Sequence, residues 1–281
     1  MRKVNILVDY TCDLPDDILE QNNIKAFPLY INIGEKSYRD SIDIKGGDIF
    51  KIMEEEKAFP KTSAVGVGEI EEIVNGYSVD EDIIYLGIGS GFSSCYNNAR
   101  IVAESHPNFY PIDSKNLSTG TGLLVMKAIK FRDQGLSAPE IVEKINDLVP
   151  RVRAQFAIDT LRFLHKGGRC SATVLLIGTV LRIKPIIRVI NGKMEVTKKP
   201  IGPFQKAIEV QISNILEDKD KLDHDCIFIT HPDAHQDAIY IRKRLAEVGI
   251  SANMIIESNA SGVISTHCGP RTIGILYIVN E

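Results

Sequence analysis

Four short segments of this 281-residue chain carry side chains able to hold an anion. The longest, Leu161 to Ile187, reads LRFLHKGGRCSATVLLIGTVLRIKPII. In it Lys166 and Arg169 bracket a glycine pair, and a mostly apolar run follows, closed by Arg182 and Lys184. Glycines 167 and 168 permit positive φ and close backbone approach, and Arg169 offers a planar fork of donors suited to a carboxylate or phosphate. Cationic ends around an apolar middle suit an amphiphilic ligand. A helix C-cap followed by a buried helix accounts for the same residues.

The second segment, IIYLGIGSGFSSCYNNAR at 83 to 100, reads as a strand, a glycine-rich loop and a helix start. Ser93 and Ser94 fall where N-caps fall, and the free N–H groups of a first helical turn attract anions. Ser93 could equally do no more than cap its helix. The glycines at 87, 89 and 91 do not form G-x-G-x-x-G, and G-x-x-x-x-G-K-[ST] is absent, so dinucleotide and P-loop chemistry are disfavoured. Thr62 and Ser63, in FPKTSAVGVGEI, again place hydroxyls ahead of an acidic helix start, as a site or as a simple cap. The fourth, SGVISTHCGPRTIGI, puts His267 before Gly269-Pro270, which reads as a turn, where a histidine is structural or functional.

HDCIFITHPDAHQD, at 224 to 237, invites a metal reading through His231 and His235. Pro232 favours a helix start between them, which takes His231 off the helix face that an i, i+4 ligand pair needs, so no metal is expected. No G-x-S-x-G elbow occurs. A serine-hydrolase reading would therefore rest on Ser93 and a distant histidine.

Elements that could position these groups follow from hydrophobic periodicity. Short β-branched runs alternate with amphipathic stretches, the pattern of an α/β protein with a mainly parallel sheet. Strands are expected at 4–8, 24–33, 83–88 and 109–113. Helices are expected after Asp13-Pro15, at 45–56 and at 93–105, and two more follow, the second striped by Ile141, Ile145, Leu148, Val149 and Val152. Near Pro150 the pattern changes, and Asn191-Gly192 signals a type I′ hairpin within 186–196. Helices near 204–217 and 234–248 and strands near 226–230, 252–256 and 272–279 complete the chain. The expected organisation is two α/β domains, 1–152 and 153–281, meeting along a cleft. The first has a mainly parallel sheet with flanking helices and the second a mixed sheet with helices.

Composition sets the class. With 44% hydrophobic and 25% charged residues the chain can bury a sizeable core, and its formal charge of −4 with no basic tract argues against nucleic acid. MRKVNILVDY meets Asp9 without a long apolar run, so no signal peptide and a cytoplasmic location are expected. Five scattered cysteines, none in a C-x-x-C pair, fit reduced thiols.

VDYTCDLP, FPKTS, GIGSGFSSCYNNA, LRFLHKGGRCS with IKPII, and STHCGP together resemble, in order and spacing, the DegV family of bacterial fatty-acid-binding proteins, from Val4 to about Ile278. The resemblance implies two α/β domains with a long-chain fatty acid in a tunnel and its carboxylate at their interface. It implies a head-group set of Thr62, Ser63, Ser93 and His267, with Arg169, Ser94 and Arg271 behind it or facing a partner. It further implies a lipid-binding subunit with no cofactor or catalytic machinery of its own. That subunit would touch membranes transiently and present the carboxylate to a kinase that makes acyl phosphate.

The chain departs from the family pattern at three places. Ser94-Cys95 replaces the usual Gly-Thr, Ala64-Val65 replaces a polar residue and proline, and Arg271 replaces a glycine, so that it could narrow the entrance or add a cation at the head group. Burying roughly 14 methylenes at about 0.8 kcal/mol each yields on the order of 11 kcal/mol gross. A carboxylate buried without partners costs several kcal/mol, so donors must converge on it. On this reading Arg169 is secondary to the hydroxyls, and Ala172 to Leu181 becomes a wall or lid of the tunnel. The alternatives are acyl transfer or ester hydrolysis by Ser93 with His267, and a lipid-sensing module.

Overall fold

In the computed structural model, residues 2–169 and 183–280 are described, and the wall expected at 172–181 lies outside them. The first half opens with β1 (Lys3–Asp9), whose Ile6, Leu7 and Val8 are fully buried, as a strand covered on both faces must be. After α1 (Asp16–Gln21) the segment expected to be one strand is two, β2 (Lys25–Phe27) and β3 (Tyr30–Ile33). Pro28 lies between them and cannot donate to a ladder, so the chain changes sheet there. β2 pairs in parallel with β1, whereas β3 forms a small antiparallel sheet with β4 (Lys36–Arg39) and β5 (Lys61–Ser63).

α2 (Asp48–Glu55) and α3 (Val67–Asn75) lead to β6 (Glu81–Leu86), which pairs in parallel with β1; α4 (Cys95–Ala103) leads to β7 (Phe109–Ile112), parallel to β6. The first main sheet is thus β2-β1-β6-β7 and wholly parallel. α5 (Thr119–Asp133) follows, then α6 (Ala138–Leu148), which a Ser137–Glu140 capping box opens and which buries Ile141 and Ile145.

β8 (Val152–Ala157) begins a second sheet. α7 (Arg162–Lys166) precedes the hairpin of β9 (Ile186–Ile190) and β10 (Lys193–Lys198), whose turn has positive φ at both Asn191 and Gly192, as a type I′ turn requires. α8 (Phe204–Glu217), β11 (Ile227–His231), α9 (His235–Glu247), β12 (Ile255–Asn259), α10 (Gly262–Cys268) and β13 (Ile273–Ile278) complete it. The sheet order is β10-β9-β8-β13-β11-β12, antiparallel except for β11 with β12, so it is mixed.

The two α/β units share a core. α5 is buried from Thr119 to Val125 and packs on strands of both main sheets, joined across the seam by the Thr119 and Thr230 hydroxyls at 2.6 Å. Its Lys127 ammonium, which is largely buried, meets Asp223 at 2.6 Å and Asp225 at 2.5 Å. Two glycines let backbone from the first half touch backbone from the second. A Cβ on Gly46 would lie 1.9 Å from the Ala260 carbonyl oxygen, and one on Gly91 would lie 2.0 Å from that of Gly192. Neither neighbour is a side chain that could swing away. Gly46→Ala should therefore destabilise the protein by about 1–3 kcal/mol, whereas Gly68→Ala, in open space in the first turn of α3, should be neutral or stabilising by up to about 1 kcal/mol. Urea midpoints of the two variants check this, and equal midpoints would refute the close-packed seam.

Candidate functional site

A cavity of about 240 Å³ opens between the two sheets. Leu29, Ile88, Phe92, Leu117, Met194 and Ile264 supply apolar walls, and Thr62, Ser63, Ser93, Ser94, Arg169 and His267 all line it. A smaller, almost wholly apolar cavity of about 30 Å³ shares Leu117, Ile264 and Cys268 with it. Six of the seven expected site residues thus come together. Arg271 is the exception.

Thr62 and Ser63 lie on β5 rather than ahead of a helix; α3 starts later, with Gly66 as its cap residue. Alternation along the strand separates them. Thr62 Oγ1 lies 2.8 Å from His267 Nε2, while Ser63 Oγ accepts a hydrogen bond from Asn32 Nδ2 at 3.0 Å. His267 itself is not in a turn. It is the penultimate residue of α10, all seven residues of which are buried. Helical start signals there are weak, because Ser261-Gly262 reads as a loop and the helix ends at Gly269, where φ is +85°.

Burial and then the nearby Arg169 cation push the His267 pKa down to about 4. The ring is neutral at neutral pH, and its buried Nδ1 has no hydrogen-bond partner among the described residues. Gly167 is what lets the end of α7 cover this ring: a Cβ there would lie 2.2 Å from Nδ1. Gly167 therefore serves in two ways. Gly167 ends α7 as its C-cap, and its lack of a side chain permits close approach, with His267 as the neighbour.

Ser93 sits on the loop between β6 and α4. Its Oγ accepts from the Cys95 N–H at 3.3 Å, so it does serve the helix start. Two carboxylates not singled out from sequence hold this loop. Asp9 Oδ2 accepts from the Ile88 N–H at 3.0 Å and from the Tyr85 hydroxyl at 2.7 Å; Asp113 accepts from the Ser90 N–H at 2.9 Å and its hydroxyl at 2.6 Å. Asp9 is fully buried, which raises its pKa. The available signal was its place at the carboxyl end of a parallel strand, where open α/β sheets gather their sites.

Arg169 is exposed and donates Nη1 to the Gly167 carbonyl at 2.8 Å and Nε to that of Phe92 at 3.3 Å. Ser94 is exposed at the start of α4. Arg271 adopts φ +55°, the left-handed region that favours glycine, and its guanidinium stands 5.0 Å from the centre of the Phe204 ring. It stacks there rather than lining the cavity, so it adds no cation to the cavity wall. His267 pairs with Thr62, and Ser93 with Cys95; no hydrogen bond joins Ser93 to His267 among the described residues. This pairing does not build a serine nucleophile with its base.

The histidines set aside for metal binding do converge. His231 ends β11, His235 starts α9, and both meet Glu257 Oε1, at 3.1 and 2.5 Å. A strand-turn-helix brings together what one helix face would not. However, His231 Nδ1 accepts the Ala234 N–H at 3.0 Å, which leaves its proton on Nε2, directed at Glu257. A metal at Nε2 would require an imidazolate, so these contacts describe a hydrogen-bonded cluster. Cys12, Cys95, Cys226 and Cys268 are free and buried.

The folded pKa of His267 lies below the ordinary value of 6.5. Its neutral burial contributes stability above pH 6.5 that is lost as pH falls toward 4, on the order of 3 kcal/mol in all. Histidine-selective NMR titration should give His267 a midpoint near 4, and His267→Gln should flatten the fall in stability between those pH values. A midpoint near 6.5 would contradict the buried neutral ring.

The DegV family model matches residues 3–280. A DegV domain-containing protein of Clostridium acetobutylicum is 33% identical over 99% of both chains. A fatty-acid-binding DegV family protein from Streptococcus agalactiae superposes with a TM-score of 0.87 at 26% identity over 100% of both chains. A DegV lipid-binding protein from Thermotoga maritima gives the same score and identity over 99% of both chains. Matched from end to end by both sequence and fold, the chain belongs to the DegV family.

Proposed function

We propose that this protein binds a long-chain fatty acid in the interdomain cavity, with its carboxylate against Thr62, Ser93 and His267. The observation that carries the reading is the way each hydroxyl is already occupied. Thr62 Oγ1 can accept the proton on His267 Nε2 and so keep its own O–H for a carboxylate, while Ser93 Oγ accepts the Cys95 N–H and sends its O–H to Cys95 Sγ at 3.3 Å, a weak acceptor that a carboxylate would displace. Charge-assisted bonds of this kind offset part of the cost of burying an anion. The neutral imidazole and the exposed position of Arg169 keep the head group out of a tight ion pair, which favours transfer over storage. Apolar walls supply the gross affinity by accepting methylenes.

Family membership and the fatty-acid-binding relative support the same ligand class. The resemblance to the DegV family implies that a separate kinase subunit takes the presented carboxylate, and the sequence has no P-loop signature of its own. On this proposal Arg169, exposed at the cavity, contacts the phosphate the partner brings. Uptake from a membrane requires only transient contact, and among the described residues no helix is long and apolar enough to cross one.

Protein denatured after purification should release stoichiometric long-chain fatty acid by mass spectrometry, and a chain that arrives empty and binds none on titration would end the proposal. Ser93→Ala should weaken retention by about tenfold to a hundredfold, the worth of one hydrogen bond to a charged group. Arg169→Ala should cost no more than about threefold, since one exposed cation contributes little. The reverse ranking would make Arg169 the anchor.

A further inference from the structure

We propose that Asp13 and Asp40 are positioning residues for the head-group site, fixing the first turn of α10 so that His267 at its other end meets Thr62. The proposal rests on the fatty-acid reading for what the site holds, and on hydrogen bonding alone for the positioning. Asp13, expected from sequence to cap α1, instead follows β1 with φ +52° and is buried. Its Oδ1 accepts the Ser261 N–H at 2.9 Å, its Oδ2 accepts from the Ser118 hydroxyl, and its carbonyl accepts from that of Ser258. Asp40 follows β4 and is fully buried. Its Oδ1 accepts the Gly262 N–H at 2.7 Å, and its own N–H donates to the Leu29 carbonyl at 2.9 Å.

Two acids from the first half of the chain therefore grip consecutive N–H groups where a helix of the second half begins. These donors have no intrahelical partners, so the carboxyl oxygens satisfy them. Gly262 makes the approach possible, because a Cβ there would lie 2.9 Å from Asp40 Oδ1 and 2.5 Å from Ile31 Cδ1. Ile31 is the β3 residue paired with Thr62 on β5. Asp40, through Gly262, thus locks α10 to the strand pair that carries Thr62.

A serine or asparagine cap would satisfy the same N–H groups without burying a titratable group. Burial lifts Asp13 to about 8 and Asp40 to about 6, which marks the cost of using acids here. Asp40 Oδ2 and Ser261 Oγ are also buried without hydrogen-bond partners among the described residues. From Gly262 to His267 the helix rises about 7.5 Å, too short for a shift at one end to be absorbed before the other.

The test compares Asp40→Ala, Asp40→Asn and a remote core control, Ile241→Val, in the full-length protein. Readouts are the ring ¹⁵N signals of His267 and the rate at which a labelled long-chain fatty acid leaves for acceptor vesicles. Asp40→Ala should move the His267 ring signals and raise the off-rate about tenfold or more, as a displaced binding group does. Asp40→Asn keeps an oxygen for the Gly262 N–H and should restore both readouts to within about twofold. Ile241→Val should lower stability and change neither. Where Asp40→Ala does not fold, Asp13→Gly, which tolerates the positive φ at that position, removes the acceptor of the neighbouring Ser261 N–H and should shift the same signals by less. Unmoved His267 signals in Asp40→Ala, or in Asp13→Gly where Asp40→Ala does not fold, would overturn the proposal, as would displaced signals in Asp40→Asn equal to those in Asp40→Ala. Displaced ring signals in a protein that binds no fatty acid would instead overturn the ligand reading and leave the positioning intact.

Discussion

The contact between Thr62 and His267 joins residues 205 positions apart and draws both halves of the chain to one point. It requires that β5 be held by β3, that α10 be buried end to end, and that α7 pass close over the imidazole at Gly167. It also requires the ring to be neutral, since a cation enclosed there would have no anion beside it. Close backbone contacts at Gly46 and Gly91 keep the two α/β units pressed together around it. A seam that tight leaves little freedom for the lining residues to drift apart.

An amphiphile sets two opposed demands on such a seam. Its chain wants a dry apolar wall, which Leu29, Phe92, Leu117 and Ile264 supply; its head wants donors, which a dry wall lacks. The fold meets both by placing hydroxyls at the ends of regular elements. Thr62 sits on a short strand beside the His267 ring and Ser93 at the mouth of a helix, where its Oγ accepts the Cys95 N–H. Asp9 and Asp113 fix the loop that carries Ser93 by accepting its backbone N–H groups, so the donors are set before a ligand arrives.

Much of this was legible in the residues. The parallel first sheet followed from β-branched runs alternating with amphipathic stretches, and the hairpin from Asn191-Gly192. Helices α6 and α8 were visible through their apolar stripes. The three-stranded sheet was not, because β3, β4 and β5 are three or four residues long and too short to show a period. α10 escaped for a related reason: wholly buried, it has no polar face to alternate with. That error placed His267 in a turn. The expectation of a cation near the head group rests on Arg271 standing where the family has a glycine; the positive φ at Arg271 turns the chain, and its guanidinium stands over Phe204. Spacing alone could not bring Asp13 beside Ser261, since that contact exists only once two sheets have packed.

A crystal structure of the protein with its co-purified ligand tests the central claim most directly. The account predicts continuous tubular density along the walls formed by Leu29, Phe92, Leu117 and Ile264, ending in a forked head within hydrogen-bond distance of Thr62 and Ser93. Density that ends in the same place on Arg169 alone, or a cavity holding only water while fatty acid is present in excess, would contradict it.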